Sequence, residues 1–141
     1  MIRKAEECKK DTKVAMRGGQ GEVHMTAIAS KEELLNHARM HNVIEIPAGS
    51  GIGYHEHEGE TEIFYILEGE PTYNDNGTEV TLHVGDVAIC PPGEGHSVRN
   101  DTDSVEIRLD SRGSIGFDWE INIKGKNAGS YTALPPCGHV E

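Results

Sequence analysis

Gly49-Ser50-Gly51-Ile52-Gly53-Tyr54-His55-Glu56-His57-Glu58-Gly59-Glu60-Thr61-Glu62-Ile63-Phe64-Tyr65-Ile66-Leu67-Glu68-Gly69 is bounded by glycine at both ends. It holds two histidines two apart and a glutamate five further on. Side chains on a β-strand alternate between faces, so His55 and His57 point the same way. The run Glu58 to Thr61, with Gly59 inside it, suits a tight turn. Glu62 then opens a new strand from which it can face both imidazoles.

A second stretch, Gly85-Asp86-Val87-Ala88-Ile89-Cys90-Pro91-Pro92-Gly93-Glu94-Gly95-His96-Ser97-Val98-Arg99-Asn100, offers another histidine just after a Pro/Gly turn. Three neutral imidazoles and one carboxylate make a donor set for a borderline first-row divalent metal. Together the stretches resemble the two motifs of the cupin superfamily, G(X)5HXH(X)3–4E(X)6G and G(X)5PXG(X)2H(X)3N. Gly49, His55, His57, Glu62 and Gly69 fill the first, and Gly85, Pro91, Gly93, His96 and Asn100 the second, with no anchor position departing. The resemblance, to the small single-domain metal-binding type, implies an all-β fold: a double-stranded β-helix, or jelly-roll barrel. It also implies His55, His57, Glu62 and His96 as metal ligands. It does not imply one reaction, because one fold hosts many chemistries.

At 141 residues, 35% of them apolar, the chain suits one domain with a modest core. Its 17 glycines suit short strands and many turns. A net charge of -11 argues against a nucleic-acid partner. The charged beginning lacks the apolar run of a signal peptide, and no segment has the ~18 apolar residues of a membrane helix, so no membrane partner and a cytoplasmic location are expected. Cys8, Cys90 and Cys137 form neither a disulfide framework nor a CxxC clamp and read as free thiols.

Three divisions are expected: an N-terminal arm and strand over 1–29, a barrel with a leading helix over 30–123, and a tail over 124–141. Within the arm, Arg17 to Gly21 reads as a flexible link and 24–29 as a strand. Ser30 to Glu33 is a capping box, which predicts a short helix from Lys31 to about His41. Strands are expected over 43–47, 62–67, 71–74, 79–82, 86–90, 96–99 and 104–110, with a last one over 117–123. Asn76-Gly77 signals a hairpin.

Strand parity adds candidate pocket residues. If Glu62 and His96 face inward, so do Phe64, Ile66 and Val98. Tyr54 falls on the opposite face from His55 unless the glycines at 51 and 53 break the alternation; a packing tyrosine competes with a hydrogen-bond donor. Arg108 reaches a substrate carboxylate if its strand turns it inward, although Ile107 and Leu109 compete for that face. His37 and His41 lack the glutamate of an HExxH pair and suit charges at a helix C-terminus. Cys137 and His139 are too few for a site, and Glu56, Glu58 and Glu60 read as a solvated rim.

A divalent ion on three neutral histidines and one carboxylate keeps a charge near +1, and an octahedral ion keeps two open positions. The donor types do not choose among Mn, Fe, Ni, Cu and Zn. Two readings of function follow. In the first, a metal-dependent enzyme of oxygenase, decarboxylase or isomerase type acts on a small oxygen-bearing metabolite, with no catalytic base assigned. In the second, the metal and pocket bind or sense a sugar or organic acid without turnover, and whether the chain is an enzyme stays open. A metal-held storage role is a third, weaker reading. The resemblance also implies a homodimer.

Overall fold

The computed structural model describes residues 1–103 and the backbone of 106–114. Among these residues ten strands form two antiparallel sheets. In chain order they are β1 (Lys10–Val14), β2 (Glu22–Ala29), β3 (Ala38–Pro47), β4 (Gly51–Glu56), β5 (Thr61–Glu68), β6 (Thr72–Asp75), β7 (Thr78–Thr81), β8 (Val87–Cys90), β9 (Gly95–Arg99) and β10 (Glu106–Ser114). One sheet has the order β1-β2-β3-β10-β5-β8 and the other β4-β9-β6-β7. The non-sequential neighbours are those of a jelly-roll barrel, the expected architecture.

The alternation of β5 shows why its sequence makes a strand. Glu62, Phe64 and Ile66 are buried, while Ile63, Tyr65 and Leu67 face outward. Phe64 and Ile66 join Val23, Ile44 and Ile46 of the larger sheet, and Ile52, Tyr73 and Val98 of the smaller one, in a single core. Each such side chain contributes about 1.5–3 kcal/mol by leaving water. Asn76 and Gly77 take φ 50° and 106°, the mirror-image turn a two-residue hairpin needs, and join β6 to β7 as expected.

The helix over 31–41 does not form. Its capping box does: Ser30 N–H donates to Glu33 Oε1 at 2.9 Å and Glu33 N–H to Ser30 Oγ at 3.1 Å. One turn follows, and then Leu35 and Asn36 take left-handed backbone at φ 53° and 61°, with β3 beginning at Ala38. Leu35 is exposed, so a helix here would bury little. A short helix without a packed face is marginal, whereas the β3 backbone finds partners on both β2 and β10.

The arm is more ordered than its sequence suggests. β1 pairs with β2 although all five of its residues are exposed, so no apolar alternation announces it. Its charged side chains suit a sheet edge guarded against further pairing. The strand expected over 117–123 and the tail over 124–141, with Cys137 and His139, lie outside the described residues. Cys8 and Cys90 are free thiols. Among the described residues no helix is long and apolar enough to cross a membrane.

Candidate metal centre

Three elements converge on one buried spot. β4 presents His55, the residue after its end is His57, β5 carries Glu62 as its second residue, and β9 carries His96. His57 is fixed from both sides of its peptide unit. Its N–H donates to Glu94 O at 3.1 Å, and its carbonyl accepts from Gly93 N–H at 2.7 Å. Gly93 holds φ 88°, a backbone that a side chain would strain, so the Pro/Gly turn of the second stretch clips the first in place. Asn100 sews the other ends together: fully buried, its amide donates to Ile46 O and its N–H to Ser50 O, both at 2.9 Å.

One donor atom from each of His55, His57, Glu62 and His96 lies within 4.8 Å of all the others. Glu62 Oε1 is 2.9 Å from His96 Nε2, 3.2 Å from His57 Nε2 and 4.0 Å from His55 Nε2. The Nε2 atoms of His57 and His96 are 3.0 Å apart. Adjacent ligands at right angles around an ion with bonds of roughly 2.1 Å are roughly 3.0 Å apart, so these spacings fit a shared cation.

The tautomers fit as well. His55 Nδ1 lies 2.8 Å from the Gly53 carbonyl, which can only accept, so the ring hydrogen sits on Nδ1 and Nε2 turns a lone pair to the cluster. Burial holds His55 below the usual imidazole range, opposed by that hydrogen bond, which favours the neutral ligand form. His96, 1% exposed, stacks on Phe64 at 5.1 Å, and its Nδ1 lies 2.8 Å from Tyr73 Oη. Burial raises the Tyr73 phenol well above its ordinary value, keeping it protonated beside the ring. A metal ligand whose second nitrogen is hydrogen-bonded is held in the ligating orientation. Burial also pushes the Cys90 thiol up to about 11, and its Sγ meets Glu94 O at 3.5 Å, the profile of an inert thiol.

A cavity of about 70 Å³ opens on His55, His57 and Glu62. Met16, Met25, Met40, Ile44 and Ile52 form its apolar wall, with Arg17 and Arg39 as its cations. All three methionines after Met1 therefore meet there, from positions too scattered to signal it in sequence. The structure brings Phe64 to the cluster as a support behind His96, and packs Ile66 and Val98 in the core away from the cavity wall. It does not bring Tyr54 there: that ring is 47% exposed and lies over Gly95, along a separate groove. Arg108 is described only as a β10 backbone position opposite Glu45 and Glu68. His37 sits in the bend before β3 and His41 on β3, and neither belongs to the cluster.

A jelly-roll barrel with three histidines and a glutamate converging inside it defines a class of metal-binding barrels. Residues 42–110 match the family model of the cupin domain. An oxalate-binding protein of Thermotoga maritima is 49% identical over 85 residues, which cover 60% of this chain and 70% of that protein. The quercetin 2,3-dioxygenase of Bacillus subtilis is 43% identical over 58 residues, which cover 41% of this chain but only 17% of that enzyme. Among solved structures, one described as a predicted oxalate decarboxylase from Thermotoga maritima superposes with a TM-score of 0.77 at 38% identity, covering 82% of this chain and 99% of that one. The chain belongs to the cupin superfamily.

Proposed function

We propose that the protein holds one divalent transition metal on His55, His57, Glu62 and His96, and that this metal binds a small dicarboxylate of the oxalate class. The observation that carries this reading is the small, largely apolar cavity of about 70 Å³ that opens on three of the four donors, His55, His57 and Glu62. A water's share of liquid is about 30 Å³, so such a space suits an acid of a few heavy atoms better than a sugar. The metal, when bound, supplies a Lewis acid for carboxylate oxygens. His55 and His96 are oriented for it by Gly53 and Tyr73, and the methionine and isoleucine wall excludes water, which strengthens ionic contacts inside. The likeness to an oxalate-binding protein supports the ligand class.

Binding without turnover is the form the cavity favours. Among the described residues, Arg17 and Arg39 are the titratable groups that line it besides the metal-site residues, and arginine does not move protons near neutral pH. The likeness to a predicted oxalate decarboxylase favours a second reading, cleavage of the bound acid. A homodimer in the cytoplasm belongs to the same proposal. An outward apolar row, Ile63 and Tyr65 on β5 paired with Ile89 and Val87 on edge strand β8, suits a second copy of the chain. Sedimentation of the purified protein at the mass of two chains is the expected result.

Protein reconstituted separately with Mn, Fe, Ni, Cu or Zn is the material for the main test. Elemental analysis should find about one ion per chain, and calorimetry should detect oxalate only with metal present. Formate and carbon dioxide released from oxalate in equal amounts would establish the decarboxylase reading instead. Metal uptake with no binding of any small dicarboxylate would overturn the proposed ligand class.

A further inference from the structure

The segment from Arg17 to Gly21 is fastened to β4. A methyl on Gly53 would fall 2.1 Å from Arg17 O, and one on Gly19 would fall 2.3 Å from Gly51 O, so only glycines allow the two stretches to lie this close. Gly51 N–H donates to Gln20 O at 3.0 Å and Ala15 N–H to Gly21 O at 2.9 Å. Within this seam Arg17 itself holds φ 54° and ψ 29°, left-handed backbone that a residue with a Cβ disfavours. Such a conformation persists where the surroundings over-determine it, and it gathers at ligand sites.

Arg17 lines the cavity beside His55, His57 and Glu62, as Arg39 does, but the two guanidinium groups differ. Arg39 is held by Glu60 in a two-pronged pair, Nε to Oε1 and Nη2 to Oε2, both at 2.8 Å. Arg17 has no carboxylate partner among the described residues and is exposed. A divalent ion on three neutral imidazoles and one carboxylate leaves +1; with Arg39 offset by Glu60, Arg17 adds a second positive charge among the residues that line the cavity. In a chain of net charge -11, that positive spot also favours the approach of an anion.

The geometry points to Arg17 as the second anchor of the ligand: one carboxylate on the metal, the other on the Arg17 guanidinium, so that the site selects small dianions over monoanions. This rests on the metal and dicarboxylate reading given above. A guanidinium fork matches a carboxylate with two parallel hydrogen bonds, which a point charge cannot reproduce.

Calorimetry on zinc-reconstituted protein, with metal content measured on every sample, tests it using oxalate and acetate as probes. Arg17→Gln and Arg17→Gly should keep one ion per chain and bind acetate as the wild type does, while oxalate binding weakens about 10- to 100-fold. Arg17→Lys should recover only part of the loss. Arg17→Gly should also melt above the wild type even without metal, since glycine accepts the left-handed backbone; a purely structural arginine would not give a stabilised variant that binds poorly. Variants that hold metal and bind oxalate as tightly as the wild type would overturn the inference alone. So would an Arg17→Gly protein that loses stability, metal and oxalate together. Metal-loaded wild type that binds no dicarboxylate would overturn the proposed function, and this inference with it.

Discussion

Two hollows share strand β4, and the larger is the less equipped for chemistry. The outer groove, of about 750 Å³, runs along Gly18 to Gln20, Ala48 to Tyr54 and Arg99 to Asp103. The inner cavity has about 70 Å³. In the groove Arg99 pairs with Glu79 and with Asp101, and Asn100 is turned inward to Ile46. At the cavity three donors meet a fourth, His96, behind them, and all four aim at one point. Volume alone would choose the wrong hollow; convergence of ligand atoms on a buried spot is what a metal needs.

The sharpest way to break this comparison is to remove a ligand. His57→Ala and His96→Ala should each strip the ion, with metal content falling from about one per chain to near zero. His96→Ala should also cost about 2–4 kcal/mol in denaturant unfolding, because its ring is 1% exposed and stacked on Phe64. Metal retained in both variants would move the centre elsewhere.

A smaller effect is expected one layer out. Tyr73→Phe removes only the hydroxyl beside His96 Nδ1, and metal affinity measured by chelator competition should fall about 10- to 100-fold. An unchanged affinity would mean that packing on Phe64 alone orients the ring.

Acid gives a milder handle. His55 has a folded value below its unfolded one, so the unfolded chain binds the extra proton and stability is lost as pH falls. In metal-free protein the His55 contribution is complete above the unfolded imidazole value of about 6.5 and declines as pH drops through the lower folded one. Melting curves should therefore fall less steeply with acid in His55→Gln than in the wild type, and bound metal should delay the wild-type decline. The smallest effects belong to the outer groove. Tyr54→Ala should leave the ion in place and shift stability by no more than about 1 kcal/mol, because the ring is 47% exposed. Loss of metal on this change would show that the two hollows act as one.

Much of this could be read in the chain, where local spacing controls geometry. β5 was legible because its alternation sorts Phe64 and Ile66 from Ile63 and Tyr65 at every step. The hairpin at Asn76-Gly77 was legible because few dipeptides tolerate its backbone. The helix after Ser30 was not, since a capping box describes how a helix begins and nothing about what the next ten residues pack against. The capped turn is present, and sheet pairing takes the chain away at Ala38. β1 escaped because an exposed edge strand needs no apolar pattern. Arg17 read as part of a flexible link because glycines beside it signal freedom; in the fold, Gly19 and Gly53 permit a close seam instead.

The sequence by itself determined the ten anchor positions of two motifs, and with them the barrel and the four donors: short spacings on strands and turns dictate which side chains share a face. Only the tertiary structure decided which apolar residues wall the cavity and which of its two arginines pairs with Glu60. Met16, Met25 and Met40 meet from three separate segments, and Arg39 differs from Arg17 through a glutamate 21 positions away. Such contacts depend on how sheets and loops close on one another, and no local rule of alternation or turn geometry carries that information.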